Sequence, residues 1–264
     1  MIFKYKAYQE LLRELGRADY VAELVEVATR QFIKEIEESN DPKKFVEEKS
    51  KEHGIRFSFD NTNDYQIQIA LSHIAGVYHI TENFFYAFQT EYNSLSQTDW
   101  HFKPGQTKLQ QIIDFISSHK SQYSQNDIDA YLIDTFNYYH TLRVYFSHKR
   151  STKPTDIVAS HGKAKAHFND NIMNEYKIKS APNTLESLTF EDFFLFTQVS
   201  KKLALQISSV CVPSPESFAR QRDIIKLKRH ENRADRIEMY LKSEYGFVKQ
   251  TDFDDICVQI ANEL

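Results

Sequence analysis

The sequence predicts an all-α protein, and three observations carry that prediction. Glycine and proline are scarce, at six each in 264 residues, too few for the tight turns that a sheet protein of this size needs. Hydrophobic residues make up 41 % of the chain, enough for a real core. In most long segments those residues recur three and four positions apart, the spacing of one helix face. The expected architecture is a helical bundle with extra helices at both ends.

The elements follow in order. "YKAYQELLREL" and "ADYVAELVEVATRQFIKEIEE" read as two helices broken at Gly16, the second with Val21, Leu24, Val25, Ala28, Phe32 and Ile36 as its core face. "DPKKFVEEKSKEHG" reads as a short helix with Asp41 as cap, Pro42 in the first turn and Gly54 as stop. "IRFSF" alternates and reads as a short strand or an extended link. "FDNTND" is a turn cluster that sets a seam between an N-terminal helical region, 1–60, and a helical domain, 61–264, unless the two form one continuous domain. A long helix runs from Tyr65 to about Leu95, with Ile67, Ala70, Leu71, Ile74, Val77, Tyr78, Phe84, Phe85 and Phe88 on its buried side. "TDWHFKPGQ" ends it, and "TKLQQIIDFISSHK" is the next helix. "SQNDIDAYLIDTFNYYHTLRVYFS" follows, capped by Ser124 or Asn126, with Ile128, Leu132, Phe136, Tyr139, Leu142 and Phe146 as its apolar stripe. Residues 149–187 read as a long loop with a short helix. "LTFEDFFLFTQVSKKLALQISSV", "PESFARQRDIIKLKRHENRADRIEMYLKSEYG" and "TDFDDICVQIANEL" read as three further helices.

Composition narrows the function classes. Cys211 and Cys257 stand far apart with no CxxC, so neither a disulfide framework nor a zinc knuckle is indicated. The N-terminus lacks an apolar signal core, and no apolar run reaches the roughly 18 residues of a membrane helix. A cytoplasmic protein without membrane partners is expected. There is no GxxxxGK[ST] or GxGxxG loop. His148, His161 and His167 match no zinc spacing, so no metal and no cofactor is expected.

The sharpest chemical signal is "YYHTLRVYFSHKR", residues 138–150. It places Arg143 and His148 where an apolar helix runs out. Arginine offers a permanent charge and a planar fork of donors suited to phosphate. Histidine titrates near neutrality and can give or take a proton. RNA strand cleavage needs a base for the 2′-hydroxyl, charge stabilisation at the phosphate and an acid for the leaving 5′-oxygen. An Arg and His pair can serve it without metal. His140 and Ser147 share the Arg143 face of the helix and are expected to support the pair.

The segment "LRVYFSH" resembles the R-x4-6-H motif of HEPN domains, and the resemblance implies a HEPN-like helical bundle. Many members are metal-independent endoribonucleases of toxin–antitoxin, abortive-infection and other antiviral systems, with a composite site formed by two protomers. By that resemblance Arg143 and His148 are the catalytic residues. The acidic residue that many active members carry on an earlier helix corresponds best to Glu82 in "HITENFF", with Asp134 as the other candidate.

Two basic runs point to a polyanion. Lys149 and Arg150, with Lys153, Lys163 and Lys165, follow the motif directly. A second run, read as one basic helix from Phe218 to Arg236, contains Lys226, Lys228 and Arg229. Tyr138, Tyr139 and Tyr145 offer stacking faces for unpaired bases. The function expected is an endoribonuclease acting on single-stranded or looped RNA in prokaryotic defence or growth control. It would act as a homodimer paired through the aromatic helix from Ile128 to Phe146, with an antitoxin or another defence-system protein as a further partner. The competing expectation is a non-catalytic HEPN-like module that binds RNA or a partner protein.

Overall fold

A computed structural model describes residues 3–56, 62–119, 127–148, 152–248 and 256–264. The protein is all-α, with twelve α-helices, two short 3-10 turns and no strand among the described residues. The helices are α1 (Lys6–Glu38), α2 (Pro42–Glu52), α3 (Thr62–Ser96), α4 (Lys108–His119), α5 (Ala130–Ser147), α6 (Pro154–His167), α7 (Asp170–Tyr176), α8 (Phe190–Val210), α9 (Pro215–Ala219), α10 (Arg222–Ile225), α11 (Arg233–Tyr245) and α12 (Ile256–Glu263).

Where the sequence carries strong stop and start signals, expectation and structure agree. The Asp41 side chain accepts a hydrogen bond from the Lys44 backbone N–H, Pro42 opens α2, and Gly54 beyond its end has φ 65°. In α3 the residues from Ala70 to Phe88 that the helical spacing assigned to the core are buried. The break after α3 is fastened by Asn93, whose side-chain amide donates to the Trp100 carbonyl and accepts from the Trp100 N–H.

Three expectations are corrected. Gly16 does not break a helix, since α1 runs through it without interruption. A lone exposed glycine costs about 1 kcal/mol in a helix, and buried Leu11 and Leu15 before it and Ala22 after it hold the helix on both sides. The supposed loop of residues 149–187 contains two helices, α6 and α7. Pro154 opens α6, which buries Ile157 and Ala164, too few and too small to register as a stripe. Asn169 caps α7 by accepting from the N–H groups of Asn171 and Ile172. Last, no single helix spans Phe218 to Arg236. The segment is divided among α9, α10, a 3-10 turn at Lys226–Arg229 and α11. Tertiary contacts override the local helix preference there. The Gln221 amide donates to the carbonyls of Ser94 and Leu95 at the end of α3, and Phe218 and Ile224 are buried.

Of "IRFSF", Ile55 and Arg56 are irregular and exposed, and the rest lies outside the described residues. So do residues 59–61 of the "FDNTND" seam, the caps expected at Ser124 and Asn126, and the start of the last predicted helix.

The chain forms two compact units, each assembled from separated segments. Unit 1 comprises Met1–Glu14, His79–Ile133 and Ser200–Leu264. Its core gathers Phe3, Tyr5, Phe88, Phe218 and Tyr245, with Phe3 stacked on Tyr245 at 4.9 Å. The Glu91 carboxylate accepts from the first N–H groups of α1, those of Lys6 and Ala7, at 3.0 and 2.9 Å. Just ahead of α5, the Asp129 N–H donates to Gln206 while the Gln206 amide donates back to the Asp129 carboxylate.

Unit 2 comprises Leu15–Tyr78 and Asp134–Val199. Its core centres on the aromatic run of α5. Tyr139 and Phe136 pack on Phe196 of α8 at 4.8 and 5.5 Å between ring centres. The fully buried Asp192 organises its polar interior. Its carboxylate accepts from the Tyr139 hydroxyl at 2.9 Å, the Asn183 backbone and side-chain amides at 2.9 and 2.8 Å, and the Thr189 N–H at 2.9 Å.

Candidate functional site

The Arg143 end of α5 lies in unit 2, together with the part of α3 that ends at Tyr78. Both helices turn an aromatic face to this spot. The guanidinium of Arg143 lies over the Tyr78 ring, 5.1 Å from its centre. On the same ring the His140 imidazole stacks at 4.9 Å with 17° between the planes. Arg143 and His140 are three residues apart on one helix, so one turn of α5 brings both to Tyr78. Tyr78 is buried, whereas Arg143 and His140 are half-buried. A guanidinium held against a ring face is less hydrated and less free than a surface lysine, which favours bidentate recognition of an anion such as a phosphate or a carboxylate.

Helix α5 ends at Ser147. His148 is the next residue, exposed, and its backbone N–H still closes the last turn onto the Val144 carbonyl at 2.7 Å. With about 100° per residue, five residues separate Arg143 and His148 by roughly 140° around the axis. The motif therefore presents a fixed cation on one side of the helix end and an exposed imidazole on another. Ser147 is exposed between them.

The other expected site residues are engaged elsewhere. Glu82 belongs to unit 1, where it accepts from Lys108 Nζ at 2.7 Å. The same ammonium lies 4.6 Å from the centre of the Tyr86 ring. Asp134 is in unit 2 and pairs with His167 Nε2 at 2.8 Å. His161 Nε2 lies 3.1 Å from the Pro182 carbonyl. Among the described residues, no three histidine, cysteine or carboxylate side chains gather where they could hold a metal ion. Lys149 and Arg150 lie outside the described residues. Lys226, Lys228 and Arg229 are exposed in unit 1, with Lys226 paired to Asp223 at 2.6 Å.

Two of the three tyrosines expected to stack on bases do not face solvent. Tyr138 and Tyr139 are both fully buried. Tyr138 donates to the Asn183 carbonyl and Tyr139 to Asp192. Burial, reinforced by the Asp192 carboxylate, pushes both phenols above their ordinary range, so they remain donors throughout the physiological window. Tyr145 is half-buried. Of the apolar residues of α5, the helix expected to pair two copies, Leu132, Phe136, Tyr138, Tyr139 and Leu142 are buried inside the chain, and Tyr131, Ile133, Val144, Tyr145 and Phe146 are half-buried.

Sequence reasoning missed the partner of Arg143, because Tyr78 looked like one more position in the buried stripe of α3. It also missed Asp192, for which a signal exists. "TFED", residues 189–192, reads as a capping box, with Thr189 before the first turn of α8 and the Asp192 side chain reaching back to its N–H. Glu191 beside it accepts from the N–H groups of Lys179 and Ser180 and from the Ser180 hydroxyl. Burial works against the charge of Glu191, but these donors outweigh it and hold its carboxyl below the ordinary carboxylate value.

No helix among the described residues is long and apolar enough to cross a membrane. Compared with family models, curated proteins and solved structures, the chain finds no match.

Proposed function

We propose that this protein is a metal-independent endoribonuclease of HEPN type, acting on single-stranded or looped RNA, with a role in prokaryotic defence or growth control. The observation that carries the reading is the end of α5. A cation is seated on an aromatic face one turn before the helix stops, and an exposed imidazole follows immediately after it. In this reading Arg143 binds the scissile phosphate and neutralises the charge that builds on it. His148 is exposed, as an acid or base acting on a polymer must be, and moves the proton of the 2′-hydroxyl or of the leaving 5′-oxygen. His140 fixes the Tyr78 ring from its stacked position and so holds the guanidinium in place. The exposed cations Lys226, Lys228 and Arg229 supply sequence-independent attraction for the RNA backbone.

A second reading is a non-catalytic RNA- or protein-binding module. The observation that favours it is the same stack, since an arginine and a histidine sharing one tyrosine ring also make a sound structural clamp.

Incubating the purified chain with total RNA in EDTA separates the two. Cleavage that survives chelation and is lost in both Arg143→Ala and His148→Ala supports the ribonuclease. Retention of RNA without cleavage supports the binding module. Reversing Lys226, Lys228 and Arg229 to Glu should weaken RNA binding and flatten its salt dependence. Unchanged affinity across a salt titration would remove that surface from the account.

A further inference from the structure

The core face that helical spacing assigned to α1 is only partly covered. Ile36 is buried, Val25 and Phe32 are half-buried, and Val21, Leu24 and Ala28 are exposed. An apolar groove within unit 2 keeps the half-buried pair from closing over. Val25, Phe32 and Ile33 form its α1 wall, and Tyr65 and Ile69 of α3 form the other. The groove encloses about 360 Å³.

Beside it, in the same unit, lies a more polar cavity of about 470 Å³. Its walls are Glu26 and Arg30 of α1, Asn63 and His73 of α3, and the segment from Glu186 to Phe190. Both volumes fall in the range of about 300–1,000 Å³ in which small-molecule sites lie. The two spaces share Ile69 and alternate along α1, with Val25 and Thr29 lining the groove and Glu26 and Arg30 lining the polar cavity. Neighbouring helix positions are about 100° apart. One elongated molecule can therefore lay an apolar part in the groove and a polar end in the cavity.

Charge selects the polar end. The Glu26 side chain is 19 % exposed, and its Oε1 accepts from Arg30 Nε at 2.7 Å. Among the described residues no group donates to its Oε2. Arg30 is 67 % exposed, so water screens its charge more than that of Glu26. Glu186 adds a second carboxylate to the lining. Burial lowers the pKa of His73, so its imidazole is neutral at pH 7 and adds no positive charge. We propose that unit 2 carries a binding site for an amphipathic organic amine, whose ammonium is held by Glu26 and whose apolar chain lies in the groove between α1 and α3. A carboxylic acid of the same shape would meet two like charges, and an alcohol would leave the Glu26 charge without a cation from the ligand. The site rests on these two spaces alone and holds whether or not the chain cleaves RNA.

Calorimetric titration of the full chain with octylamine, octanoate and octanol, each kept below the concentration at which it forms micelles, tests the site. Octylamine carries a charge at pH 7 and should bind at least about tenfold tighter than either of the others. Glu26→Gln should weaken octylamine at least about tenfold and remove its advantage over octanol. Arg30→Gln takes away the competing cation and should strengthen octylamine about two- to fivefold. Ala28→Phe, at an exposed position on the groove, should weaken all three ligands. The Arg30 and Ala28 variants change exposed positions, so they keep the test decisive even if Glu26→Gln fails to fold. No binding of octylamine, equal or tighter binding of octanoate, or an octylamine affinity indifferent to these substitutions overturns the proposal.

Discussion

Tyr139 and Arg143 are one turn apart on α5, yet their surroundings follow opposite rules. Tyr139 is fully buried, and its hydroxyl ends on a carboxylate that also collects three amide donors. Every polar atom in that cluster has a reason to stay where it is. Arg143 is half-buried, with its charge against a ring face, at the point where the helix stops and an exposed histidine follows. A saturated polar cluster specifies structure, because a missing partner leaves a desolvated group behind. A cation oriented by a ring and close to solvent is instead prepared to meet an anion from outside. In the reading proposed above, α5 thus gives one polar residue to the fold, Tyr139, and one to an anion from outside, Arg143.

The largest effect expected from this contrast is on stability. Asp192→Ala removes the acceptor for Tyr139, Asn183 and Thr189 at once and should cost about 3–5 kcal/mol. Denaturant melts would register the loss. A change under about 1 kcal/mol would show that the cluster relaxes freely and that Tyr139 is no more tied to the fold than Arg143.

Arg143→Ala should do the reverse. RNA cleavage should fall by about 10²–10³-fold, the usual cost of removing one charge-stabilising group. Stability should change by no more than about 1 kcal/mol, the scale of one cation–π contact. Unfolding of this variant, with little loss of specific activity in the folded fraction, would put Arg143 on the structural side of the line.

Tyr78→Leu tests the orientation of the guanidinium without touching it. It keeps an apolar group at the buried position but removes the ring under Arg143 and His140. Cleavage should drop about tenfold, with the loss mainly in kcat, if the ring only aims the cation. Unchanged kinetics would mean that the stack has no part in the reaction.

The smallest effect concerns pH. His73 of α3 packs 5.4 Å from Phe193, ring centre to ring centre, and its Nε2 is enclosed without a hydrogen-bond partner in the protein. Burial lowers its pKa below the ordinary 6.5, only partly opposed by the charge of Glu26. The depressed group is neutral in the fold, while the unfolded chain protonates near 6.5. Its contribution to stability is therefore complete above about pH 6.5 and declines as pH falls below that value. His73→Phe should flatten this limb of the stability profile. An unaltered slope between pH 5 and 7 would assign the acid limb to other groups.

The sequence by itself determined the helical class, the extents of α2 and α4, and the buried side of α3. Apolar spacing, a capping aspartate and well-placed Pro and Gly are local signals that need no knowledge of what lies opposite. It also singled out Arg143 and His148 by residue type and by their place at the end of an apolar stripe. Tertiary structure decided the rest. The pattern of α1 contained more apolar positions than one face needs, and only the neighbours across the fold settle which of them are covered. Residues 154–167 and 170–176 are helical despite a weak stripe, because a few apolar contacts, those of Ile157, Ala164 and Tyr176, suffice once a core is present to receive them. The basic segment near Lys226 breaks because Gln221 bonds to carbonyls more than a hundred residues away in sequence. Periodicity could assign Tyr78 to the core, but it could not show that the buried ring carries Arg143 and His140 on its face. That depends on which helices pack together, and the free energy of packing is set by contacts between residues far apart in the chain.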